Sequence, residues 1–282
     1  MTAPATLLKA WNLIARKELG QNFLKDPSLA GQIADLAQLA PRDIVIDIGA
    51  GLGAMTIAAA TRAQKVIAVE KDARMLPLLR AELLVNGLAN VEVLSQDILS
   101  LDLSALARAQ ERSVTIVGNL PYNISSQVVI KLMAARHCIS RAVLMFQKEL
   151  AERLCAAPGS RTYGRISVML QYCANVKMLR QVRSDMFFPK PKVDSVVLGI
   201  EFKTDPSPKV EDEQLMGRVV QAAFGQRRKT LHNALSAGLP PMDKGGVARV
   251  LNEAGIDPKR RAETLSVAEF VELTNCVERC LS

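Results

Sequence analysis

Histidine and cysteine are scarce in this sequence. The 282 residues include two histidines, His137 and His232, and five cysteines with no C-x-x-C pair. Structural zinc sites need closely spaced Cys and His ligands, and disulfide frameworks occur in short chains that are much richer in cysteine. We therefore expect no metal, reduced thiols and a cytoplasmic protein. The N-terminus lacks the apolar core of a secretory signal, although it leaves room for a short organellar transit peptide.

Long apolar runs are also missing. The longest uncharged apolar stretch, residues 48–61, has about 14 residues, whereas a membrane-spanning helix needs roughly 20. Hydrophobic residues nevertheless make up 49% of the chain, which is too many for a disordered protein. The 36 Lys and Arg against 28 Asp and Glu give a net charge of +8. That excess fits either an ordinary solvated surface or a polyanionic partner.

Short β-branched runs alternate with helical patterns through residue 202. Strands are predicted at residues 44–48, 65–70, 91–96, 113–118, 142–146 and 195–202, with a weaker candidate at 176–179. Strands separated by helices indicate βαβ units and a mostly parallel sheet. After a charged segment with two prolines, only helices are predicted, at residues 214–224, 229–236, 246–253 and 266–277. We therefore divide the chain into an α/β domain, residues 1–204, and an all-helical domain, residues 205–282.

Glycines and acids stand where the first three predicted strands end. The first strand runs into a glycine-rich turn, residues 47–53, and glycine is needed where a ligand lies against the backbone. Glu70 ends the second strand, where a carboxylate can accept both hydroxyls of a ribose. Asp97 ends the third and can accept a hydrogen bond from an adenosine amine. Each feature alone also fits a ligand-free turn or a solvated acid, but together they predict a nucleoside site. A dehydrogenase is excluded because no His lies near a strand end.

The fourth strand ends in Asn-Leu-Pro-Tyr-Asn-Ile-Ser, residues 119–125. The side-chain oxygen of Asn119 and a nearby carbonyl, such as that of Leu120, can accept the two N–H bonds of an adenine amine and localise its lone pair. Pro121 fixes the backbone that holds these acceptors, and Tyr122 can stack on an extruded base. The plain alternative is an Asn-Pro turn with a core tyrosine.

With these residues the sequence resembles the ribosomal RNA adenine dimethyltransferase family, class I S-adenosylmethionine (SAM)-dependent enzymes that methylate adenine N6. The resemblance covers nearly the whole chain and is carried by residues 21–24, 119–125, 146–149, 187–195 and 223–231, the last of which is similar to the housekeeping branch. It implies a Rossmann-like α/β fold with a seven-stranded, mostly parallel sheet and a small all-α C-terminal domain that contributes to rRNA recognition.

The resemblance also implies site residues. The positions that match SAM-binding residues of the family are Asn22, Leu24, Gly49, Gly51, Glu70, Asp97 and Asn119. The catalytic motif is Asn119, Leu120, Pro121 and Tyr122, and in the family the aromatic at Phe187 sandwiches the target adenine against the Tyr122 position. Many members have Glu at Asp47 and Pro at Ala50, and both departures are mild.

Most of the basic excess lies between the catalytic motif and the last predicted strand. Residues 147–192 have nine basic and three acidic side chains, whereas residues 203–282 have twelve and eleven. We expect RNA phosphates to be bound by Arg161, Arg165, Lys190, Lys192, Arg227, Arg228 and Lys229. The alternatives are an ordinary solvated surface and, for Arg227 and Arg228, packing against the other domain.

We therefore expect a monomeric enzyme that uses SAM to dimethylate two adjacent adenines in a hairpin loop near the 3′ end of small-subunit rRNA, during assembly of the 30S subunit. No membrane partner is expected. Two alternatives stay open: a large-subunit rRNA adenine methyltransferase of the antibiotic-resistance type, and a non-catalytic RNA-binding assembly factor on the same fold.

Overall fold

The computed structural model describes residues 1–239 and 242–281. Within them the strands are β1 (Phe23–Leu24), β2 (Ile44–Ile48), β3 (Lys65–Glu70), β4 (Val91–Ser95), β5 (Val114–Asn119), β6 (Ile139–Gln147), β7 (Ala174–Val182), β8 (Phe187–Phe188) and β9 (Ser195–Phe202). The α-helices are α1 (Pro4–Ala10), α2 (Pro27–Leu36), α3 (Ala54–Ala60), α4 (Leu76–Val85), α5 (Leu103–Arg108), α6 (Ser125–Ala134), α7 (Lys148–Leu154), α8 (Arg165–Cys173), α9 (Glu213–Phe224), α10 (Leu231–Gly238), α11 (Lys244–Glu253) and α12 (Val267–Leu281). No described helix is both long and apolar enough to cross a membrane.

Seven of the strands form one twisted sheet. Their order is β4-β3-β2-β5-β6-β9-β7; the pairs from β4 to β6 are parallel, and β9 runs antiparallel to β6. The central strand β2 is buried at every residue, as a strand covered on both faces must be. The predicted α/β fold with a seven-stranded, mostly parallel sheet is confirmed.

The predicted strands agree with the sheet, with two extensions. The strand predicted at residues 142–146 is the nine-residue strand β6. The weak candidate at residues 176–179 is part of the nine-residue strand β7, which lies at the sheet edge and is largely exposed. Because β7 is exposed, it lacks the alternation of apolar and polar residues from which strands are predicted. The sequence does not predict the two-residue strands β1 and β8, which pair antiparallel with Phe23 opposite Phe188 and Leu24 opposite Phe187.

The chain divides into two compact units. The first contains Met1–Ala151 and Asn175–Phe202, and the second contains residues 152–174 together with those from Lys203 on. This departs from the predicted division at residue 204, because residues 152–174 pack with the C-terminal helices. Within the second unit, the buried Tyr163 meets the Phe224 ring edge-on at 6.2 Å between centroids, and Phe224 stacks on Phe270 at 5.8 Å.

The last helix begins with a capping box. The Ser266 amide donates to Glu269 Oε2 at 2.7 Å, and the Glu269 amide donates to Ser266 Oγ at 3.2 Å; a Ser followed three residues later by Glu is typical of this motif. Arg260 pairs with the same carboxylate and, by favouring its charged form, lowers the pKa of Glu269 to about 2. This start of α12 is therefore fixed by both polar contacts and charge.

Candidate cofactor and active site

A cleft opens at the carboxyl ends of the parallel strands β2, β3, β4 and β5, in the first unit. It encloses about 990 Å³ of space, part of it open to solvent. Its lining brings together the segment 19–24, the turn 48–52, and the side chains Glu70, Lys71, Asp97, Asn119 and Pro121. All seven predicted SAM-binding positions, Asn22, Leu24, Gly49, Gly51, Glu70, Asp97 and Asn119, line this cleft.

The glycine-rich turn after β2 needs its glycines for shape and space. Gly49 and Gly51 have φ angles of 76° and 54°, a region that side chains with a Cβ rarely adopt. A Cβ on Gly51 would lie 3.0 Å from Cε1 of Phe23, and one on Gly49 would lie 3.4 Å from Cδ of Pro121. The missing side chains therefore let the aromatic and the proline close against the turn.

Glu70 ends β3 and ties that turn to the next loop. Its Oε2 accepts the Gly51 amide at 2.8 Å, and its Oε1 accepts the Asp72 amide at 2.7 Å. Burial raises the pKa of the Glu70 carboxyl. A carboxylate oxygen has two acceptor sites, so each oxygen retains one for a ribose hydroxyl.

Asp47, the residue before the turn, is fully buried beneath it. Its Oδ2 accepts the Thr56 hydroxyl at 2.6 Å, while its Oδ1 has no hydrogen-bond partner. Burial raises the pKa of Asp47 to about 7. Asp47 does not line the cleft; its hydrogen bond joins the end of β2 to Thr56 on α3.

Asp97, just beyond β4, is already paired. Lys71 Nζ lies 2.8 Å from Asp97 Oδ2, and the Leu99 amide donates to Oδ1 at 2.9 Å. The Lys71 ammonium is the main reason why the pKa of Asp97 is lowered. The acid is thus held in its charged, acceptor-only form, which suits the predicted contact with an adenosine amine.

The N-terminal segment is attached to the strand ends through Gln21. Gln21 Nε2 donates to Asp72 Oδ2 at 2.9 Å, and Gln21 Oε1 accepts the Arg16 amide at 2.8 Å. Arg74 pairs with both oxygens of the same carboxylate and is the main cause of the lowered pKa of Asp72. Asp72 and Lys71 are not among the residues predicted from the sequence, although their positions directly after Glu70 place them at the same strand end.

Asn119, at the end of β5, is oriented by the N-terminal segment. Its Nδ2 donates to the Asn22 carbonyl at 2.6 Å, and among the described residues its Oδ1 accepts no hydrogen bond. The following Leu120 is buried and Pro121 lines the cleft. The Pro121 carbonyl accepts the Ser125 hydroxyl at 2.9 Å and the Ile124 amide at 3.2 Å, which fixes the turn into α6.

The two predicted stacking residues are placed differently. Tyr122 is half-buried, and its hydroxyl shares a 2.7 Å hydrogen bond with Ser195 Oγ; burial raises the pKa of this tyrosine. Phe187 is only 1% exposed and lies in the core with Leu24 and Val197. No face of Phe187 is therefore exposed in this conformation, and its stacking on the target adenine stays a prediction.

The seven predicted RNA-binding cations are all exposed. Lys190 and Lys192 follow β8 in the first unit, and the five others belong to the second. Within that unit, Arg227 Nη2 donates to the Arg161 carbonyl at 2.9 Å, so two of the predicted basic segments lie against each other. Across residues 1–239 and 242–281, no group of His, Cys, Asp and Glu could hold a metal ion.

Comparison with known proteins gives a consistent result. The family described as "Ribosomal RNA adenine dimethylase" matches residues 12–278. A "Ribosomal RNA small subunit methyltransferase A" of Desulforapulum autotrophicum is 49% identical, covering 98% of this chain and 97% of that protein. The protein of the same name from Geobacillus kaustophilus is 40% identical, with 96% and 94% covered. A solved dimethyladenosine transferase from Plasmodium falciparum superposes with a TM-score of 0.76 at 28% identity, covering 89% of this chain and 95% of that one.

Proposed function

The chain belongs to the ribosomal RNA adenine dimethylase family and is a methyltransferase, and from this premise we propose that it dimethylates N6 of two adjacent adenines in a small-subunit rRNA loop, with SAM as methyl donor. Its proposed partner is the rRNA of an assembling 30S subunit in the cytoplasm, and it acts as a monomer. The curated relatives named above are small-subunit rRNA methyltransferases, which supports this substrate over large-subunit rRNA.

The residues of the cleft fit SAM. The glycine cradle admits a ligand against the backbone, and Glu70 and Asp97 place carboxylate acceptors in the same cleft. Glu70 would bind the ribose hydroxyls, Asp97 the adenine amine, and the segment around Asn22 and Leu24 would cover the methionine end. SAM supplies a methyl group on a sulfonium, ready for in-line displacement.

The contribution of the chain to the reaction is orientation and polarisation of the adenine amine. The observation that supports this most directly is the 2.6 Å bond from Asn119 Nδ2 to the Asn22 carbonyl, because it leaves Asn119 Oδ1 to accept an N–H of the substrate. A neighbouring carbonyl, for which we propose that of Leu120, accepts the second N–H. Holding the amine in line can be worth roughly 7–11 kcal/mol of the barrier.

The Tyr122 ring provides the surface on which the extruded base stacks. Its hydroxyl is anchored to Ser195, so the ring orientation is fixed before RNA binds. Pro121, pressed against Gly49, holds the motif against the floor of the cleft. Neither role requires a group that gains or loses a proton during the step.

The decisive experiment uses tritiated SAM with small and large ribosomal subunits from cells that lack this methylation. We expect label at N6 of adenines in small-subunit rRNA. Asn119→Ala should abolish turnover while S-adenosylhomocysteine (SAH) binding is only weakened, and Asn86→Ala, which loses a bond to the Glu82 carbonyl on α4, should keep full turnover. Label confined to large-subunit rRNA, or wild-type turnover in Asn119→Ala, would overturn the proposal.

RNA affinity should depend on the exposed cations in both units. We propose that Arg161, Arg165, Lys190, Lys192, Arg227, Arg228 and Lys229 bind phosphates, which makes the C-terminal helices part of rRNA recognition. Binding of such a set falls steeply as salt rises, because counterions are released. RNA affinity that is independent of salt between low and physiological concentration would contradict this part of the proposal.

A further inference from the structure

A second groove lies in the first unit, outside the cofactor cleft. It is bounded by α1 and the loop after it on one side and by Phe188 and Pro189 on the other, and it encloses about 880 Å³ of space, part of it open to solvent. Its walls are mainly apolar, with Leu8 and Ile14 facing the groove, and Ile14 is 79% exposed. None of the roles proposed above uses this groove.

The groove adjoins the cleft across one pair of aromatic residues. Phe188 is half-buried and lines the groove, whereas its strand partner Phe23 lines the cleft. Directly opposed residues of paired strands have their Cβ atoms about 5 Å apart. Phe188 therefore offers an aromatic surface beside the cofactor cleft, while the neighbouring Phe187 points into the core.

Positive charge lies at the groove and close to it in the chain. Lys9 lines the groove, and the exposed Lys190 and Lys192 follow the lining residue Pro189 by one and three positions. Arg16, near the other lining segment, is paired with Glu18 at 3.7 Å. An apolar slot with an aromatic wall and lysines close by complements an unstacked nucleobase whose phosphates lie outside the slot.

We propose that this groove binds a nucleobase of the substrate RNA that flanks the target adenine, stacked on Phe188, while phosphates contact Lys9, Lys190 and Lys192. The proposal rests on the proposed function, since it takes RNA as the substrate. It explains how a second base is kept apart from the cleft while its neighbour reacts. Sequence-specific recognition of RNA loops commonly uses such splayed bases on aromatic side chains.

The test compares two RNA hairpins. One has two adjacent adenines in its loop, and in the other the nucleotide next to the target adenine lacks its base. Binding is followed by the fluorescence of Trp11, which is the one tryptophan of the chain and is 46% exposed beside the groove residue Asn12. Removing a stacked base costs roughly 5- to 150-fold in affinity. We expect wild type to show this loss, and Phe188→Leu, which keeps apolar volume without the ring, to bind both RNAs alike.

Ile14→Glu supplies a variant that cannot fail by unfolding, because the side chain is largely exposed. It should weaken binding of the intact hairpin without changing SAH affinity. The matched control is Leu84→Glu, the same change at an 81% exposed position of the same unit, which should bind as wild type does. The groove proposal would be overturned if the ratio of the affinities for the intact and the abasic hairpin were the same in wild type and Phe188→Leu. It would also be overturned if Trp11 fluorescence responded to anionic vesicles or to an acidic peptide but not to RNA.

Failure of the proposed function is distinguishable from failure of this inference. If the enzyme does not methylate small-subunit rRNA, the wild-type protein transfers no label to small ribosomal subunits, whatever the groove variants do with the hairpins. If only the groove proposal is wrong, the wild type methylates the hairpin, and Phe188→Leu and Ile14→Glu do so with unchanged RNA KM.

Discussion

The contact between Gln21 and Asp72 should set the affinity for the cofactor. It joins the N-terminal segment, which covers the cleft, to the loop whose amide donates to Glu70 Oε1 at 2.7 Å. Gln21→Leu keeps the size of the side chain and removes both of its hydrogen bonds, to Asp72 and to the Arg16 amide. The segment then loses its link to the end of β3, where we propose that Glu70 binds the ribose.

The expected loss of SAH affinity follows from the type of hydrogen bond that Gln21 makes with Asp72. A hydrogen bond to a charged group contributes about 1.5–3 kcal/mol, and we take the lower end because Gln21 is only half-buried. About 1.5 kcal/mol corresponds to a tenfold change in an equilibrium constant. We therefore expect the Kd for SAH to rise about tenfold in Gln21→Leu, with only a small fall in Tm.

Calorimetric titration of SAH into wild type, Gln21→Leu, Asp72→Asn and the double variant measures this coupling directly. Residues in contact typically show interaction energies of about 0.5–3 kcal/mol in such a cycle. Gln181→Leu is the control, because Gln181 also donates to a carboxylate, Asp194, at 3.2 Å but outside the cleft. Unchanged SAH affinity in Gln21→Leu, or strictly additive effects in the cycle, would refute the reasoning.

Three further predictions concern stability and RNA binding. Gly118→Ala would place a Cβ 2.5 Å from the Ile48 carbonyl oxygen, so calorimetry should show a loss of about 1–3 kcal/mol; Gly217→Ala, where a Cβ meets nothing within 4 Å, should keep or raise Tm. The pKa of Asp47 is 3.8 in the unfolded chain and about 7 in the folded protein, where burial raises it. Between these two pH values the folded state binds more protons than the unfolded state. The free energy of unfolding therefore falls by about 4 kcal/mol as pH rises through this range. Asp47→Asn should flatten that decline in a Tm–pH series, and an unchanged slope would contradict it. Arg228→Ala should weaken RNA binding and lower the slope of log K against log salt by about 1; an unchanged slope would remove Arg228 from the phosphate contacts.

The ends of the parallel strands could be predicted from the sequence because the relevant signals are local. A β-branched run, its length and the polar residue after it lie within a few positions, and parallel strands place those residues at one edge of the sheet. Glu70, Asp97 and Asn119 therefore line one cleft as expected. The same holds for the capping box of α12, whose two partners are three residues apart.

Contacts between distant segments could not be predicted in this way. Gln21 and Asp72 are 51 residues apart, and Asn119 and Asn22 are 97 apart. Which of two adjacent phenylalanines faces the core depends on the pairing of β8 with β1, because neighbouring strand residues point to opposite faces. The same limit explains why residues 152–174 pack with helices that follow far later in the chain.

In the proposed mechanism, the hydrogen bond from Asn119 to Asn22 links cofactor binding to catalysis in one side chain. An amide has one donor end and one acceptor end, so donation to the Asn22 carbonyl leaves the oxygen, and not the nitrogen, for the proposed substrate contact. If the N-terminal segment moves away, this constraint on the amide is lost and Asn119 can present either end. An ordered segment over the cofactor is then a condition for presenting the acceptor to the adenine amine, so we expect Gln21, through Asp72, to affect turnover without touching the base.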